Sequence, residues 1–178
     1  RDVLTATGEP LKRYPLRIEQ RFRPESAFEL QYALQAVLRE GTGRRVYNLF
    51  PADLPLAGKT GTTNDQRDSW FAGFSGEHLA VVWVGRDDNS ATPLTGSGGA
   101  LQVWADLMTV LPTRGVNLAP PDGVSFDWLD HATGALSAEG CEGAIWLPLE
   151  ADFAPSQAVD CRLDQQQREN SWWHRFWN

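Results

Sequence analysis

Apolar and polar positions alternate from the start of the chain. Val3-Leu4-Thr5-Ala6, a turn at Thr7-Gly8-Glu9-Pro10 and the run 11–18 predict a β-hairpin over residues 2–22. Pro24 ends that pattern, and Ser26-Ala27-Phe28-Glu29 reads as a capping box, serine and glutamate each satisfying a free backbone N–H. Leu30, Ala33, Leu34, Val37 and Leu38 then recur on one helical face, with Gly41 as a left-handed stop. Residues 70–74 and 79–84 predict a second hairpin around Ser75-Gly76-Glu77-His78. The run 79–84 is apolar on both faces, so it is expected at the centre of a sheet, covered on both sides. Ser97 opens a second helix, with Leu101, Trp104, Leu107, Met108 and Leu111 toward a core and Pro112 closing it. The fold class expected is α+β, an antiparallel sheet flanked by helices.

Beyond residue 112 the texture changes. Pro120-Pro121-Asp122-Gly123 marks a linker or turn, followed by short strand candidates with turns at Thr133-Gly134 and Glu139-Gly140. The expected organisation is one unit over residues 1–112 and a small C-terminal extension over 113–178. The last residues carry Trp172, Trp173, Phe176 and Trp177; without a basic face, this cluster is expected to pack back onto the fold rather than lie on a membrane or a partner.

Composition narrows the function. With 178 residues, 42% of them hydrophobic, the chain can bury one sizeable core. A net charge of -7 and the lack of any basic cluster interleaved with aromatics give no reason to expect a nucleic-acid partner. No apolar run approaches the ~18 residues needed to cross a bilayer, and no leader pattern opens the chain at Arg1, so it reads as a piece of something longer. Cys141 and Cys161 are the two cysteines, with no histidine at metal-ligand spacing. They read as a disulfide in an oxidising compartment or as two unrelated buried thiols. No metal or cofactor site is expected.

The candidate chemistry lies in Leu56-Ala57-Gly58-Lys59-Thr60-Gly61-Thr62-Thr63-Asn64. Acyl transfer on a peptide that ends in a free carboxylate needs a nucleophile, a base, an oxyanion hole and a cation for that carboxylate. Lys59 fits the cation, in a strand, with no bulk at Ala57 or Gly58 beside it. Gly61 leaves room for a substrate backbone to lie against the strand. Thr60 and Thr62 share the other face; the Thr62 N–H is a candidate oxyanion donor and its hydroxyl a candidate carboxylate partner. Rival readings are weaker. A bare Lys-Thr-Gly is usually a turn. Gly58-Lys59-Thr60 ends like a phosphate-binding loop, but the first glycine is replaced by Asp53 and no helix start follows. His78 and His131 read as surface residues, since no Gly-x-Ser-x-Gly elbow is present, and Asp87-Asp88 reads as a solvated turn.

As an ordered set, the nine residues above with Asp68-Ser69-Trp70-Phe71-Ala72-Gly73-Phe74 resemble the third motif and following strand of class A, bifunctional penicillin-binding proteins. Val37-Leu38-Arg39-Glu40-Gly41-Thr42-Gly43, Val82-Trp83-Val84-Gly85-Arg86-Asp87 and residues 96–107 resemble that family's flanking helices and strand. The tail is similar to the C-terminal extension of Gram-negative members. The resemblance implies a transpeptidase whose serine is acylated by D-Ala-D-Ala stem peptides and by β-lactam antibiotics, on the periplasmic face of the inner membrane, beside a glycosyltransferase domain. It implies that Lys59, Thr60, Gly61, Thr62 and Thr63 line the site and that a lipoprotein activator is among the possible partners. The family's Ser-x-x-Lys and Ser-x-Asn motifs are missing: the two lysines, Lys12 and Lys59, have Glu9 and Leu56 three positions before them. Nucleophile and base are therefore expected from the N-terminal remainder of the same protein. The alternative is a non-catalytic module of that fold that binds peptidoglycan or a partner.

Overall fold

The computed structural model describes residues 2–13 and 19–166. Residues 14–18 of the first expected hairpin and the terminal Trp/Phe cluster lie outside those residues. A short hairpin, β1 (Asp2–Leu4) with β2 (Pro10–Arg13), leads to helix α1 (Pro24–Arg39). A 3₁₀ turn (Arg44–Asn48) then enters an antiparallel sheet ordered β3 (Ala57–Thr62), β4 (Ser69–Phe74), β5 (Leu79–Val84). Helix α2 (Ala100–Thr109) packs on this sheet, and an antiparallel ribbon, β6 (Val124–Asp130) with β7 (Ala144–Glu150), follows. The architecture is α+β.

Strand register assigns the two sheet faces. Thr60 pairs with Phe71 and Phe71 with Val82, while Gly61 pairs with Trp70 and Trp70 with Trp83. With side chains alternating, Thr60, Thr62, Ser69, Phe71, Ala80 and Val82 share one face, and Lys59, Gly61, Trp70, Leu79, Val81 and Trp83 the other. The first face meets α2. Phe71 and Trp104 pack edge to face at 5.1 Å, both fully buried, and the Trp104 indole N–H donates to the Gly73 carbonyl at 3.2 Å. Leu38, Val46, Leu56, Leu101 and Met108 complete this core. On the second face Leu79 is 74% exposed, Val81 58% and Trp83 46%.

That exposure corrects the place expected for the 79–84 run. β5 is an edge strand, covered on one side only among the described residues. A strand apolar on both faces asks for two covers, and these residues supply one.

Three expectations for α1 and its ends are also corrected. The capping box does not form, because α1 begins earlier, with Pro24 in its first turn and extended Arg23 before it. Proline's fixed φ suits that start and its missing N–H costs nothing there. Glu29 instead accepts the Glu150 N–H at 2.9 Å. Gly41 is not among the left-handed glycines; a Cβ there would lie 2.9 Å from the Val37 carbonyl, so the residue serves close approach to the last helical turn. The buried face of α1 carries Phe28, Gln35 and Leu38, while Leu30 is 61% exposed and Ala33 is exposed. The helix is held from two sides, by the sheet at Leu38 and by the ribbon at Phe28 and Tyr32, which meet Phe126 at 6.1 and 5.4 Å. Leu30 and Leu34 line an open apolar cavity of about 300 Å³ with Phe22 and Phe74.

α2 starts at Ala100 rather than Ser97, and Leu107 points outward at 43% exposure. Its first N–H is satisfied from across the fold: the buried Ser69 hydroxyl accepts the Ala100 N–H at 2.8 Å and donates to the Thr95 carbonyl at 2.7 Å. Cys141 and Cys161 are bonded, with Cα atoms 6.0 Å apart, which ties helical residues 160–166 to the ribbon's connecting segment. Beside that link, Arg162 donates to Asp127 Oδ1 and to the Ser137 carbonyl, both at 2.9 Å.

Candidate active site

β3 brings the candidate residues together at the free edge of the sheet. Ala57 and Gly58 are buried, and a side chain at Gly58 would strike the Phe71 ring and lie 2.9 Å from the Ala72 carbonyl. Small residues here let β3 and β4 close over the core. Lys59 stands exposed on the open face, its ammonium donating to the Thr60 carbonyl at 2.8 Å. Gly61 follows on the same face, opposite Trp70, whose Cβ would touch any side chain added at Gly61 at 3.2 Å.

The threonines are fixed from the closed face. The Thr60 and Thr42 hydroxyls lie 2.7 Å apart, which docks the loop after α1 onto the strand. Thr62 Oγ1 accepts the Gly96 N–H at 2.9 Å, leaving its own proton to donate elsewhere. Gly96 packs so close that a Cβ would lie 2.9 Å from both the Thr60 side chain and the Gly61 nitrogen. Thr63 donates its N–H inward to the Asp68 carbonyl at 3.1 Å. In an antiparallel edge strand, inward and outward backbone groups alternate, so the Thr62 N–H falls on the outer side, which has no strand partner among the described residues. The Thr60 carbonyl does too, where Lys59 reaches it. One short edge thus offers an ammonium, an unpaired N–H, a hydroxyl and a stretch clear of side chains. That set can hold an extended peptide and its negative charge.

Other residues singled out in the sequence stand apart. Residues 58–60 lie within a strand and do not open a helix, so the phosphate-loop geometry is absent. His131 Nδ1 lies 3.0 Å from the Gly143 carbonyl and belongs to a turn of the ribbon. Asp88 sits in an exposed turn and Asp130 ends β6, their carboxyls held below the usual value chiefly by the Ser90 and Thr133 hydroxyls. Among the described residues no group of His, Cys, Asp and Glu is placed to hold a metal, and no helix is long and apolar enough to cross a membrane. Sequence reasoning gave no role to Thr42, Gly96 or Asp68. Each acts through a contact far from it in the chain, which no local periodicity announces.

No family model matches the chain. The crystal structure of penicillin-binding protein 1A from Haemophilus influenzae matches it with a TM-score of 0.65 at 26% identity, over 76% of this chain and 21% of that one. Fold and edge strand together define a segment of the transpeptidase domain of a penicillin-binding protein. Penicillin-binding protein 1B of Vibrio cholerae is 39% identical over 150 residues, 84% of this chain and 19% of that protein. Penicillin-binding protein 1B of Escherichia coli is 34% identical over 171 residues, 96% of this chain and 20% of the relative. The chain belongs to the class A penicillin-binding proteins, and it spans about a fifth of the length of these relatives.

Proposed function

We propose that this chain supplies the substrate strand of a serine-type D,D-transpeptidase that cross-links peptidoglycan stem peptides and is acylated by β-lactams. The observation that carries the reading is the free edge of β3, where exposed Lys59, clear Gly61 and the outward Thr62 N–H follow one another. Lys59 binds the terminal carboxylate of the D-Ala-D-Ala stem by a charge-assisted hydrogen bond, trading the neutral Thr60 carbonyl for an anion. Thr60, Gly61, Thr62 and Thr63 line the groove. The Thr62 N–H stabilises the oxyanion that forms as the serine attacks, and its hydroxyl adds a donor to the carboxylate. No cofactor or metal takes part.

Serine and base come from the N-terminal remainder of the same protein. Two features support this: the chain holds no Ser-x-x-Lys tetrad, and the apolar sheet face beside Lys59 stands open, as a face does whose cover lies elsewhere in sequence. Residues 1–112 form the end of the transpeptidase domain and 113–178 its extension. The whole protein works on the periplasmic face of the Gram-negative inner membrane, anchored outside this chain, and a lipoprotein activator is among its partners. A non-catalytic module that only holds stem peptides is the second reading, and the missing tetrad is what favours it.

Lys59→Ala in the complete protein separates the two. Acylation by a fluorescent penicillin is expected to fall on the order of 10- to 100-fold, the worth of a hydrogen bond to a charged group, with an unchanged melting curve because Lys59 is exposed. Acylation at the parent rate would remove Lys59 from the site.

A further inference from the structure

The outer end of β3 is closed by a ring of hydrogen bonds centred on one carboxylate. Asp68 N–H donates to Thr63 Oγ1 at 2.8 Å, and that hydroxyl donates to Asp68 Oδ2 at 3.1 Å. The Thr63 N–H reaches the Asp68 carbonyl at 3.1 Å. The other carboxylate oxygen, Oδ1, accepts the Trp83 indole N–H at 2.9 Å. Trp83 stands on β5, so Asp68 ties the β3–β4 connection to the strand at the opposite edge of the sheet. Gly85 keeps this contact open: a Cβ there would collide with the Trp83 ring and lie 3.0 Å from Asp68 Oδ1.

The connection needs such a clamp. Asp65 and Gln66 both have positive φ, 58° and 53°, a conformation that side chains other than glycine adopt only when their surroundings enforce it. Thr62, one residue before the ring, ends an edge strand that has no strand partner on its outer side among the described residues, and strand ends without partners open first. A donor that must meet a developing oxyanion cannot wander by much, since misplacement of even about 1 Å costs rate steeply.

We propose that Asp68 is a positioning residue for acyl transfer at β3: anchored on Trp83, its carboxylate fixes Thr63 and so holds the Thr62 N–H where the acyl oxygen of a peptide or β-lactam carbonyl develops charge. This rests on the reading of β3 as the substrate strand. Asp68 touches neither substrate nor nucleophile in this role. Loss of the clamp therefore lowers the rate of the acylation step more than the affinity for the acyl donor.

The test is stopped-flow acylation of the complete protein by a fluorescent penicillin over a range of concentrations, which resolves the limiting rate from half-saturation. Asp68→Ala is expected to lower the limiting rate about tenfold with little change in half-saturation, in line with losing hydrogen bonds to a charged group. Trp83→Phe removes only the anchor, and Asp68→Asn removes the charge and one of the two acceptor oxygens; each should give a smaller loss. Combined with Asp68→Ala, Trp83→Phe should add nothing, because both act through one carboxylate. A parent limiting rate in Asp68→Ala would overturn the proposal, as would losses that add in the double variant or that only follow the folded fraction in a melt. If Asp68→Ala fails to fold, Trp83→Phe and Asp68→Asn decide by the same rate criterion. Lys59→Ala runs alongside: parent acylation there removes the substrate-strand reading itself, whereas a slowed Lys59→Ala with a parent-like Asp68 series removes only the clamp.

Discussion

The two faces of the three-stranded sheet are built from the same strands and meet different fates. One carries Ser69, Phe71, Ala80 and Val82 and is sealed by α2, with Phe71 and Trp104 wholly buried. The other carries Lys59, Trp70, Leu79, Val81 and Trp83 and lies open. Both faces of β5 are apolar, so the difference lies in what the chain provides as cover rather than in the strand. The closed face belongs to folding, while the candidate chemistry runs along the β3 edge between the two, with Lys59 and Gly61 on the open face and Thr60 and Thr62 on the closed one.

Mutation should separate the faces by size of effect. Trp104→Ala on the closed side removes a fully buried ring and its hydrogen bond to Gly73, and is expected to cost about 3–5 kcal/mol in urea unfolding. Ser69→Ala removes the hydroxyl that receives the first N–H of α2, for about 1 kcal/mol by the same measurement. Val81→Glu on the open face should change the stability of this chain by about 0.5 kcal/mol at most and lower its binding of a hydrophobic dye. A Val81→Glu cost rivalling that of Trp104→Ala would break the comparison. In the complete protein the ranking should tighten, Val81→Glu becoming severe once that face is covered.

The sequence made the hairpin over 70–84 and the start of the first hairpin legible because local turn residues separate short β-rich runs, and the turns at Gly134 and Gly140 because positive φ favours glycine there. Family resemblance carried the rest of the identification. The position of β5 was not legible, since a strand apolar on both faces looks the same whether its second cover is in the chain or outside it. The capping box failed by competition: Pro24 begins the helix before Ser26 can cap it. The Lys59 strand was readable from residue types, but its place at the sheet edge and the contacts that fix it, Thr42 on Thr60, Gly96 on Thr62 and Trp83 on Asp68, are tertiary. Their partners lie 18, 34 and 15 residues apart in the chain, beyond any local pattern.

Ser69 grips the Thr95 carbonyl and the Ala100 N–H at once, and Gly96, between those two residues, reaches Thr62. The helix seat and the substrate edge are therefore two ends of one short tether. If α2 slid along the sheet by a single residue, it would drag Gly96 off the threonine. Changes that steady α2 from its solvent side, without touching the groove, become a handle on how sharply that groove is shaped.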